Sequence, residues 1–157
     1  MIRRIPAAIV MVFVGMFMMC PSIYAADSPA KKPQVQLEVR IIKAKKHTDK
    51  NTKPPQDPRL KDVAPRIKQL FGFDCFSLET TKEAKTTLDT MAIFSLPIDR
   101  DLMVKVSQKP DARLVVDLAI KDLLATDYKV VSGGVLLIGG MKLEDGVMVV
   151  AIRATLK

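Results

Sequence analysis

The chain has 157 residues, with 25 Lys and Arg against 17 Asp and Glu, a formal net charge of +8, two cysteines, one histidine and no tryptophan. An apolar share of 48% is that of a folded domain rather than a disordered chain, and two cysteines exclude a disulfide-built scaffold. Aromatics at 5% leave few rings to stack on bases, which argues against single-stranded nucleic acid as the partner of the basic excess.

The first residues are Met1-Ile2-Arg3-Arg4, followed by an apolar window from Ile5 to Met19 interrupted by Pro6 and Gly15. Its 15 residues fit the apolar region of a secretory signal and fall short of the roughly 20 needed to span a bilayer. Pro21 and Ser22 break the pattern, and Ile23-Tyr24-Ala25 offers a small residue for cleavage after Ala25 or Ala26. A signal peptide over 1–25 is therefore expected, with an uncleaved anchor as the alternative. Met18-Met19 before Cys20 are not the small residues of a lipidation signal. Export leaves 23 basic residues against 17 acidic ones and Cys75 as the remaining thiol, so the fold must be held by its apolar core. Flanked by Phe73 and Phe76, Cys75 reads as a buried, inert thiol.

A polar lead-in over 26–33 precedes the domain expected over 34–157. Val35, Leu37, Val39 and Ile41 alternate with Gln36, Glu38 and Arg40, the period of a half-buried strand. The stretch 45–57 carries no apolar period and holds Pro54-Pro55, so an exposed basic loop is expected there. Lys43, Lys45, Lys46, Lys50, Lys53, Arg59 and Lys61 cluster around it, offset by Asp49 and Asp57, and form a candidate anionic-ligand site. Asp57-Pro58 reads as a cap followed by proline at the first helical position. Leu60, Val63, Ile67 and Leu70 form a helical stripe that Pro65 either kinks or divides, and Gly72 suits its end.

From Phe73 the pattern is β. Strands are expected over 73–79, 88–96, 102–108, 113–121, 128–132, 135–143 and 147–155, with a polar turn within 80–87. Gly133-Gly134 and Asp145-Gly146 read as two-residue hairpin turns. Val135 to Ile138 and Val147 to Val150 are apolar on both faces, as in strands placed centrally. The expected fold is mainly β: an antiparallel sandwich or partly closed sheet with one short helix.

Catalytic and metal signatures are missing. His47 has no second histidine or cysteine at ligand spacing and reads as a solvated loop residue; no Cys–His pairing is apparent. No cofactor motif appears, and Gly133-Gly134 and Gly139-Gly140 have no helix behind them to hold an anion. Asp99 and Asp101 flank Arg100, and Asp117 and Asp122 lie at a strand end; a small cell-wall hydrolase would need two such carboxyls across one cleft.

Arg113 to Lys121, then Thr126 to Gly140 with its two glycine pairs, then Gly146 to Leu156, follow one another in an order that resembles the end of the β-domain of bacterial outer-membrane secretins. Val35 to Ile42 is similar to the strand that opens that domain. The chain departs from the family in having no room for gate hairpins and no proline-glycine segment before them, so a pore is not implied. The resemblance implies a small envelope β-module without catalytic residues. The expected function is an exported, non-enzymatic module that binds an envelope protein, accessory to secretion or assembly. The alternatives are an anionic glycan or lipid binder acting through the basic loop and a hydrolase using acidic residues.

Overall fold

The computed structural model describes residues 32–48 and 52–157, all within one unit that runs from Lys31 to Lys157. The signal peptide expected over 1–25 and most of the lead-in lie outside the described residues.

The alternating segment forms β1 (Gln34–Lys45), whose even and odd positions serve two different cores. It pairs antiparallel with β2 (Cys75–Thr87) on one side and β8 (Gly146–Leu156) on the other. With β7 (Val135–Leu143) these make a first sheet of order β2-β1-β8-β7. The remaining strands, β3 (Met91–Leu96), β4 (Arg100–Gln108), β5 (Leu114–Ile120) and β6 (Leu124–Val130), make a second sheet in sequential order. Leu37, Val39 and Ile41 of the first sheet meet Leu102, Val104, Val116 and Leu118 of the second, and each is at most 2% exposed. The fold is thus an antiparallel β-sandwich, with one α-helix among the described residues, as the alternation predicts.

The other face of the first sheet is closed by a helical segment. Asp57 accepts a hydrogen bond from the Arg59 N–H (3.0 Å) and caps a 3-10 turn, Pro58–Leu60. Helix α1 (Ala64–Phe71) follows, so Pro65 opens a second helix instead of kinking the first. Gly72, at φ 70°, ends α1 with its N–H donating to Lys68 O. Leu60, Val63 and Ile67 seat on Ile42, Ala44, Val149 and Ala151. Leu70, the fourth member of the sequence stripe, is 61% exposed, because Phe71 takes the packing position. A Cβ on Gly139 of β7 would lie 2.6 Å from the Phe71 ring, so glycine is what lets α1 approach.

Several sequence expectations are corrected. The turn within 80–87 is absent: β2 is one 13-residue strand, held straight through its polar half by pairing with β1. One bulge, at Glu79 opposite Ile41 and Ile42, is its only irregularity. Leu88 to Thr90 form a turn, so β3 starts at Met91, and β6 starts at Leu124 rather than Tyr128. Gly133-Gly134 does turn, with Gly134 N–H donating to Val131 O (2.9 Å), but it joins no hairpin. Gly133 N–H donates to Ala154 O (2.8 Å), which fastens the chain to the first sheet as it leaves the second. The β7–β8 hairpin turns on Glu144 and Asp145, one residue earlier than expected. Of the two strands apolar on both faces, β8 is central; β7 is an edge strand covered on one face by the second sheet and on the other by α1.

Candidate functional site

Three of the seven basic residues are engaged by aspartates of the same chain. Lys43 and Lys45 belong to β1, and both reach Asp145 of the β7–β8 hairpin, at 3.2 and 3.5 Å. Their charges, Lys43's first, hold the Asp145 carboxyl below its usual value. Arg59 is 2.6 Å from Asp57, whose carboxyl it drives well below the ordinary carboxylate range. Lys46, Lys53 and Lys61 are exposed, and Lys50 lies outside the described residues.

His47 is not a freely solvated loop residue. It is half-buried, and its backbone N–H donates to Asp74 Oδ1 (2.6 Å). Nε2 lies 3.0 Å from both the carbonyl and the hydroxyl oxygen of Thr52. Nδ1 lies 3.6 Å from the Cys75 sulfur, and in the tautomer with the proton on Nε2 it accepts from the thiol. Pairing of Lys45 with Cys75 brings the two together across 28 residues of sequence, a proximity no local spacing signals. Burial, and secondarily Asp74, push the Cys75 thiol up, so it stays protonated. The contact anchors the loop.

A second polar cluster ties the helical segment to the first sheet. Arg40, 7% exposed, makes a two-pronged contact with Asp62 (2.9 and 2.6 Å) and approaches Glu38 (3.2 Å). Arg153, opposite Glu38 on β8, reaches Glu38 and Asp62 at 3.4 and 3.1 Å. Hydrogen bonding to Arg40 holds the Asp62 carboxyl below its usual value, and Asp62 in turn raises Arg40. The cluster joins Asp62 to two strands, which is structural work.

Asp99, Asp101 and Asp122 do line one cleft of about 580 Å³, together with Arg100. All three carboxylates are exposed, and Arg100 sits 3.7 Å from Asp122 while donating to the Lys121 carbonyl. Asp117 lies elsewhere, on the outer face of β5. No group of acidic, histidine and cysteine side chains suited to a metal ion occurs among the described residues.

Among the described residues, no helix lies over the outer face of the second sheet. Register places Ile93, Met103, Ala119 and Ala125 side by side across all four strands, an apolar row on the solvent side. Ile93 is 63% and the neighbouring Met91 55% exposed. Met91, Met103 and Ala119 border a shallow depression of about 260 Å³ with Lys105 and Asp117 at its rim. The signal for this row was present in sequence, since Met91 and Ile93 are the apolar members of the face that alternates with Ala92 and Phe94. Exposed apolar side chains that line up across a sheet mark an interaction surface more often than single ones do.

No helix among the described residues is long and apolar enough to cross a membrane. No protein-family model matches the sequence, and no curated protein matches it.

Proposed function

We propose that this protein is an exported, non-enzymatic β-module of the bacterial envelope. In this reading it binds an envelope protein through the outer face of its second sheet, as an accessory of a secretion or assembly system. The observation that carries the reading is the Ile93–Met103–Ala119–Ala125 row on the solvent side of one sheet, exposed at Ile93 and Ala125 and half-buried between them, while the equivalent face of the other sheet is closed by α1. The signal-like N-terminus and the secretin-like order of the C-terminal strands support the envelope as the compartment. Lys43, Lys45 and Arg59 each face an aspartate of the same chain, which takes support from an anionic-ligand site there.

The test is capture from envelope extract, comparing the wild-type chain with a Met91→Thr/Ile93→Thr variant. Threonine keeps the strand preference and removes the apolar contact. The expected result is a defined envelope protein recovered by the wild type and lost by the variant. Recovery of nothing, or of the same proteins by both chains, sinks the reading.

A further inference from the structure

The two sheets end in four edge strands, and three are blunted. Strand β2 carries a bulge, and its Lys82 Nζ donates to Ser95 O of β3 (2.5 Å), so a lysine spans the adjacent edges of both sheets. Strand β3 is only six residues long and is followed by Pro97. Strand β7 is bulged between Gly139 and Met141, and Arg66 of α1 donates to its Val135 carbonyl (3.0 Å). The polar stretch 80–87 suggests itself from sequence as the least protected edge; it lies on an edge strand, but a guarded one. Strand β6, though nearly as short as β3, has no side chain of another element bonded to its edge among the described residues. Its seven residues pair one for one with β5, without bulge or proline, and in the sheet order nothing follows it.

Its charges are also unresolved within the chain. Asp127 lies directly opposite Asp117 of β5 on the outer face, a like-charge pair that destabilises the ladder. Neither Asp127 nor Lys129 takes part in an ion pair among the described residues.

We propose that β6 pairs antiparallel with β6 of a second copy of this chain, with Tyr128 on the two-fold axis, making one eight-stranded sheet from the two second sheets. In that register Asp127 of each copy faces Lys129 of the other, on the outer face, and Thr126 faces Val130 on the inner face. Each Asp127 thereby gains the cation that its own sheet denies it. Ala125 falls opposite Val131, which is 67% exposed in the single chain, and Tyr128, 38% exposed, meets its counterpart. An isologous contact of this kind closes as a dimer instead of growing into a filament.

The measurement is sedimentation of the full chain over a concentration series reaching high micromolar. The wild type is expected to pass from monomer to dimer. Asp127→Lys should weaken association roughly tenfold or more, because two attractive pairs become repulsive. Its melting temperature should hold or rise, since the like-charge pair of Asp117 and Asp127 is removed, which separates lost pairing from misfolding. Adding Lys129→Asp should restore the dimer. Tyr128→Cys should give an oxidised, covalent dimer beyond any seen for wild type, as Cα atoms of opposed residues lie about 4.5–5.5 Å apart, within disulfide reach. Thr126→Cys should not, being out of register with its own copy. A wild type that stays monomeric, an Asp127→Lys chain that associates like wild type, a double variant that fails to recover, or crosslinking through Thr126→Cys overturns the proposal. None of these substitutions alters Met91 or Ile93, so the envelope-binding reading is tested separately.

Discussion

The two sheets of this sandwich share one core and differ on their outer faces. The first is buried twice: Ile42, Ala44, Val149 and Ala151 sit under Leu60, Val63 and Ile67, and an arginine–carboxylate cluster fastens the helical segment beside them. The second is buried once, and its outer row of Ile93, Met103, Ala119 and Ala125 meets solvent. Apolar residues on an outer face therefore mean opposite things in the two halves. On the first sheet they are covered and contribute to stability; on the second the most exposed of them, Met91 and Ile93, contribute little to it and can serve contact with another molecule.

That contrast can be broken by substitution. Ile67→Ala empties a fully buried site and should cost about 2–5 kcal/mol in denaturant unfolding. A loss under 1 kcal/mol would mean the helical cover contributes little and the sheets are more alike than they look. Asp62→Ala leaves buried Arg40 with Glu38 and without its closest partner, an expected loss of about 2–3 kcal/mol, reduced because Asp62 itself is partly exposed. The same pair fixes an acid response. The Asp62 carboxyl titrates below its ordinary 3.8 when folded and at that value when unfolded, so its contribution is complete above 3.8 and is lost as pH falls further. The acid limb of the wild-type stability profile should therefore be steeper than that of Asp62→Asn, and hydrogen exchange should show α1 loosening before β4 and β5. Smallest of all, Met91→Thr/Ile93→Thr should shift stability by no more than about 0.5 kcal/mol, since more than half of each residue is already in water. A larger loss would show that the second sheet's outer face is load-sharing after all.

Sequence made much of the sandwich legible where burial and local pattern coincide. Strands β1, β7 and β8 follow from alternation or from being apolar on both faces, and their observed bounds differ from the expected ones by a few residues at most. It was least legible where a distant partner decides. The polar run 80–87 lacks a strand pattern, and only its pairing with β1 makes it one. A glycine turn is the same local signal whether the next strand pairs with the previous one or crosses to the other sheet, so Gly133-Gly134 could not reveal the crossover. The site divides in the same way. The basic residues were visible as charges, but the pairing of Lys43 and Lys45 with Asp145, and of Arg59 with Asp57, depends on a hairpin and a cap. The His47–Cys75 contact had no sequence signal at all.

The strand order also sets a timetable. The second sheet is a meander in which each strand pairs with the one just before it, so its contacts are short in sequence and can form as the segment from Met91 to Val130 becomes available. The first sheet cannot be finished that way. Strand β1 lies between β2 and β8, and Val35 pairs with Leu156, far along the chain. Until β8 arrives, the β8 edge of β1 stays unpaired and the surfaces that will carry α1 are incomplete. A chain that emerges N-terminus first thus holds its first strand in waiting longest, which makes β1 the segment most in need of protection before the fold closes.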